Sequence, residues 1–160
     1  MHKVSKEDKC FNLWLLLLKT RRVLYRAREK ELAQYGITPE QGEILFINRA
    51  KKGNVNQTDI ARLMAREPHT IGGIIKRMEK KGFVEKYEDP KVKNAKKITI
   101  TNKGKKVMER VDSRVTINNI MSILTENECS QLWILLEKLL NAGIKELDRF
   151  YVSPYTQLIE

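Results

Sequence analysis

Residues Val55 to Gly104 read VNQTDIARLMAREPHTIGGIIKRMEKKGFVEKYEDPKVKNAKKITITNKG. Asn56, with Asp59 three residues on, predicts a helix start, and Ile60, Leu63 and Met64 form that helix's apolar side. Arg66-Glu67-Pro68-His69 reads as a turn. A second helix from about Pro68 repeats Ile71, Ile74, Ile75 and Met78 at the i, i+3, i+4, i+7 spacing of a one-sided helix, and Gly82 predicts its left-handed cap. Val84 and Tyr87 fit a short strand, Asp89 to Ala95 a tip, and Ile98 and Ile100 alternate with Lys97, Thr99 and Thr101 as a half-buried strand. Helix, tight turn, helix and hairpin in that order predict a winged helix-turn-helix. Such a unit puts one helix in the DNA major groove and the hairpin beside it.

The charge supports this reading. Twelve Lys or Arg and only four acids lie between Lys76 and Lys106, a net +8 out of +11 for the 160-residue chain. A basic excess gathered on a helix and a hairpin predicts a polyanion partner.

Outward from this unit, residues Asp8 to Gln34 read as one long helix with Phe11, Trp14, Leu15, Leu18, Arg22 and Tyr25 at threes and fours, stopped by Gly36. Thr38-Pro39-Glu40-Gln41 is a capping box with proline at the first helical position, opening a helix that turns Ile44, Leu45 and Ile47 inward. Thr101 or Asn102 caps a fifth helix expected to run to about Ile123. Thr125 to Glu128 opens a last one to about Phe150, with Leu132, Leu135, Leu136, Leu139, Ile144 and Leu147 to bury. The fold class expected is mostly α, six helices with a two- or three-stranded wing. The first and last helices are too apolar to flank a small head alone, so they must bury their stripes against each other or against a second chain; a homodimer through both termini is the economical solution. Three regions follow: 1–36 and 105–160 for dimerisation, 37–104 for the head, as one intertwined unit.

Composition narrows the function. The longest apolar run, Leu13 to Leu18, is far short of a membrane span, and no signal peptide is readable. Cys10 and Cys129 make no disulfide framework, which fits a reducing cytoplasm. No phosphate loop, nucleophile elbow, paired catalytic carboxylates or metal cluster is recognisable. No enzyme activity and no cofactor are therefore expected.

Thr38 to Phe46, Asn56 to Ala61, the helix from Thr70 to Gly82, and the wing strand Ile98-Thr99-Ile100-Thr101-Asn102-Lys103-Gly104 together resemble the multiple-antibiotic-resistance regulator (MarR) family of transcription factors. The strand running into Thr-x-x-Gly is the most specific piece, and the flanking helices fall where that family dimerises. The resemblance implies a homodimer on a pseudo-palindromic operator, usually a repressor, often released by a small ligand or an oxidant. The family's wing tip usually carries arginines; here the aligned residues are Lys93 and Asn94, so phosphate contact is the role expected of this wing.

The candidate DNA contacts are His69, Thr70, Gly72, Gly73, Lys76 and Arg77 on the second helix of the head, with Lys91, Lys93, Asn94 and Lys96 on the wing. Two glycines inside a helix either let the backbone approach DNA closely or mark a position that packing tolerates. Trp14, Tyr25, Phe46 and Met108 are candidates for an effector cleft between the dimer helices and the head. Two other readings stay open: a redox-sensing regulator using Cys10, and a winged-helix module for protein or RNA contact.

Overall fold

The structure, a computed structural model, describes residues 6–89, 92 and 95–147. The order is α1 (Lys6–Ala33), α2 (Pro39–Ala50), α3 (Gln57–Leu63), α4 (Pro68–Lys80), β1 (Val84–Glu88), β2 (Lys96–Ile100), α5 (Asn102–Val111), α6 (Val115–Met121) and α7 (Glu126–Glu146). This is the mostly helical winged-helix architecture the sequence predicts. The capping boxes at Thr38 with Gln41 and at Thr125 with Glu128 form as expected, and Asn56 makes a third with Asp59. Each pairs a side-chain oxygen with amides that a helix start leaves without partners.

The head encloses its own core. Ile44, Leu45 and Ile47 of α2, Ile60 of α3, Ile71, Ile75 and Met78 of α4 and Ile98 of β2 are buried completely or nearly so. Burial of each such side chain contributes about 1.5–3 kcal/mol. Leu32 from α1 and Val111 from α5 close the same core. β1 and β2 pair antiparallel with Val84 opposite Ile100, Lys86 opposite Ile98 and Glu88 opposite Lys96. Ahead of α3, Val55 adds a one-residue bridge to Ile98, whose amide donates to Val55 O at 2.9 Å. Buried Asn48 donates its side-chain amide to Ile98 O at 2.6 Å, tying α2 to the wing. Nothing in the periodicity of α2 marks Asn48 for this.

The stretch expected as one fifth helix is divided into α5 and α6. Arg114 takes a left-handed conformation (φ 47°) at the break. The partners that hold the break come from α1. Arg28 donates to Val111 O at the end of α5 (3.1 Å), and the Glu31 carboxylate accepts from the Thr116 amide at the start of α6 (3.3 Å). A cation at a helix C-terminus and an anion at an N-terminus both match the helix dipoles.

α7 and the first part of α1 keep their apolar stripes outside this core. Leu132, Leu135, Leu136, Leu139 and Leu147 of the expected buried set are exposed in the single chain, as are Phe11, Trp14, Leu15 and Leu18. Ile144 is half-buried. The expected end of the last helix, Phe150, lies outside the described residues. Among the described residues no helix is long and apolar enough to cross a membrane.

Candidate nucleic-acid interface

α4 is positioned by its inner face. Ile71, Ile74, Ile75 and Met78 are all buried, which fixes the rotation of the helix about its axis. At 3.6 residues per turn the opposite side carries His69, Gly73, Lys76 and Lys80, with Thr70 and Arg77 beside them. His69, Thr70, Lys76, Arg77 and Lys80 are exposed. Among the described residues neither Lys76 nor Arg77 is paired with an acid. The turn before α4 is set by Ala65 in the left-handed region (φ 48°) and by a hydrogen bond from the Arg66 amide to Ala61 O (2.9 Å).

The two glycines of α4 have different surroundings. A Cβ on Gly72 would stand 2.7 Å from Gln57 Nε2, and that amide donates to Pro68 O at 2.8 Å. Gly72 thus leaves room for the Gln57 amide, the flexible end of a side chain that reaches from α3 to the start of α4. Among the described residues, a Cβ on Gly73 would meet only Arg77 Nη1, at 3.8 Å. Glycine in a helix interior costs on the order of 1 kcal/mol relative to alanine. At Gly72 a side chain would displace the Gln57 amide; at Gly73 it would displace nothing among the described residues.

The basic residues read as one cluster separate in space. Lys97 is mostly buried, 3.2 Å from Asp89 and bonded to Asn54. Lys86 pairs with Glu79 at 2.9 Å, bracing the wing against α4. Lys81 donates to Gly36 O and Lys103 to Lys81 O, and both ammonium groups lie over the Phe83 ring. These four hold the fold. Lys96 is exposed, with Glu88 across the hairpin at 3.8 Å. Lys91, Lys93 and Asn94 lie outside the described residues.

Thr101-x-x-Gly104 is a clasp. Thr101 Oγ1 donates to Gly82 O (2.6 Å) and accepts from the Gly104 amide (3.1 Å), while the Thr101 amide donates to Phe83 O. A Cβ on Gly104 would stand 2.0 Å from Phe83 O. The wing's exit is thus fastened to the end of α4, and only glycine fits.

The candidate cleft residues do not share one cavity. Phe46 and Met108 line a cavity of about 330 Å³ with Arg28, Leu32, Val111, Arg114 and Ile117. Arg49 and Arg114 lie over the Phe46 ring, at 5.8 and 5.5 Å. Beside the cavity, Arg28 pairs with Glu31, whose Oε1 is buried with no hydrogen-bond partner among the described residues. Burial works to raise the Glu31 carboxyl, but hydrogen bonds from Arg28 and Thr116 outweigh it and hold it below the usual carboxylate range. Tyr25 lines a separate cleft of about 230 Å³ with Arg21, Arg22, Arg26 and Glu40. Its hydroxyl donates to the Glu40 carboxylate at 2.8 and 2.9 Å, and Arg66 stands 3.6 Å from the same group. Burial and the Glu40 carboxylate push the Tyr25 hydroxyl up to about 12. Trp14 lines neither space and is exposed on α1. Cys10 is exposed and Cys129 half-buried.

Residues 37–93 match the model of the MarR family. A search of curated proteins finds no match. Among solved structures, S. aureus MepR in complex with DNA is 26% identical, with 80% of this chain and 96% of that one covered and a TM-score of 0.73. The ligand-free form of the organohalide-sensing regulator RdhR-CbdbA1625 shares the fold at 23% identity, over 94% of this chain and 92% of that one, with a TM-score of 0.80. A mutant MarR from E. coli complexed with operator DNA shares it at 19% identity, over 85% and 99%, with a TM-score of 0.75. The chain thus carries a MarR family domain, on residues 37–93, in the fold of the MarR family transcriptional regulators.

Proposed function

We propose that the chain is a non-enzymatic DNA-binding transcriptional regulator in the cytoplasm. It works as a homodimer on a pseudo-palindromic operator, as a repressor that a small ligand releases. The observation that carries the DNA reading is the outward face of α4. It holds His69, Thr70, Lys76, Arg77 and Lys80 clear of the protein while four buried apolar residues fix its orientation. Lys76 and Arg77 make phosphate or base contacts there, and Lys91, Lys93, Asn94 and Lys96 bring the wing against the backbone. S. aureus MepR, 26% identical, has been captured with DNA, which supports the same partner here.

The homodimer is supported by the apolar surface the single chain leaves in water. Trp14 of α1 is 59% exposed, and Ile134, Leu135 and Leu139 of α7 are 64%, 59% and 53% exposed. A soluble monomer rarely exposes a continuous surface of that kind. Residues 1–36 and 105–160 form the dimer body around the head at 37–104. The effector reading is supported by the cavity of Phe46 and Met108, which lies where α1, α2, α5 and α6 meet.

The test is selection of duplex fragments from a random pool by purified protein, followed by shift assays at several salt concentrations. Expected are an inverted-repeat sequence and a linear fall of log affinity with log salt. Equal binding to RNA and to every duplex, with no selected sequence, would overturn the reading.

A further inference from the structure

We propose that Gly73 is a specificity-determining residue, and that the notch it leaves on α4 receives the C5 methyl group of a thymine in each operator half-site. The inference rests on the DNA-binding reading above and adds what α4 reads. Gly73 sits on the side of α4 opposite the Ile71, Ile74, Ile75 and Met78 stripe. Its backbone is ordinary helix, since the positive-φ glycines are Gly36, Gly53 and Gly82. Among the described residues no neighbour demands the missing side chain, because a Cβ there would make one ordinary contact with the tip of Arg77. Its neighbour Gly72 differs, being occupied by Gln57. The fold would therefore gain from alanine at position 73.

The notch has walls. His69 and Thr70 stand one turn before it, and Lys76 and Arg77 one turn after it, all exposed. These are the polar and cationic groups suited to phosphates and base edges on either side. The floor is different in kind. In mid-helix the amide and carbonyl of Gly73 are committed to the i→i−4 ladder, so the helix offers only a Cα methylene there. An apolar surface discriminates by shape and by apolar contact. The apolar group on the major-groove edge of base pairs is the thymine methyl. A Cβ on the outermost line of the helix would hold the backbone off that methyl.

The experiment uses full-length protein and a duplex operator obtained by selection, with random-sequence duplex as reference. Each operator thymine is replaced in turn by deoxyuridine, which removes only the methyl. Expected is one position per half-site where the replacement weakens wild-type binding about fourfold, the worth of one buried methyl. Gly73→Ala should raise the melting temperature by about 2–4 °C. It should also weaken operator binding at least tenfold, leave random-duplex binding within twofold, and abolish the thymine preference at that position. A Gly73→Ala protein that keeps both operator affinity and the thymine preference would overturn the proposal while leaving the DNA reading intact. Wild-type protein with no salt-dependent affinity for any duplex would overturn both.

Discussion

Gly104 and Thr101 show how narrow the tolerance is at single positions. The 2.0 Å approach of a Cβ on Gly104 is to a backbone carbonyl, which cannot turn aside as a side chain would. Gly104→Ala is expected to destabilise the fold by more than about 2 kcal/mol, read as a lower urea midpoint with an unchanged slope. Thr101→Ala removes the bond to Gly82 O and the cap of α5 together, and should cost about 1–2 kcal/mol. At the interface, Lys76→Ala should weaken binding to all duplexes alike and lower the salt slope by about 0.9, the value for one phosphate contact. An unchanged affinity and sequence preference after replacing both Lys76 and Arg77 would show that α4 is not the reader.

Between elements, two side chains of α1 reach neighbouring helices, Tyr25 to Glu40 of α2 and Glu31 to the Thr116 amide of α6, and each has a pH signature. The Tyr25 hydroxyl is raised to about 12 by burial and by the Glu40 carboxylate. A raised pKa favours the protonated form in the folded protein. Its stabilisation is therefore complete below pH 10 and is lost as pH rises from 10 towards 12. Melts across that range should show an alkaline loss in wild type that is smaller in Tyr25→Phe. Glu31 has the opposite sign, because its carboxyl is held below the usual range. Its contribution is present above the unfolded pKa, about 4.3, and is lost as pH falls through the folded value. Glu31→Gln should flatten the acid limb of the stability curve and loosen the break between α5 and α6.

For the whole molecule, the exposed stripes of α1 and α7 bear on assembly. Replacing Leu136 and Leu139 by Asp would put unpaired charges into the proposed interface, and dissociation or unfolding is expected by sedimentation. A wild-type chain that sediments as a stable monomer at micromolar concentration would refute the dimer. The wing's share of binding is a charge effect on this view. Neutralising Lys91, Lys93 and Lys96 should remove up to about 2.7 units of salt slope. Discrimination between operator and random duplex should change little. A much larger loss on the operator would mean that the wing reads groove shape.

What can be read along the chain is what depends on near neighbours. Helix starts were legible at Thr38, Asn56 and Thr125 because a cap and its amide lie three residues apart. The rotation of α4 was legible because Ile71, Ile74, Ile75 and Met78 repeat with the helical period. Tertiary structure decided whatever needed a partner from far away. The break at Arg114 depends on Arg28 and Glu31, more than 80 residues earlier, so local periodicity ran α5 into α6. The cluster of lysines divided because Asp89, Glu79, the Gly36 carbonyl and the Phe83 ring claim members that composition alone counts as free. Gly72 and Gly73 are identical letters side by side. Only the fold gives one of them the Gln57 amide and the other no closer neighbour among the described residues than the tip of Arg77, since successive residues of a helix point about 100° apart.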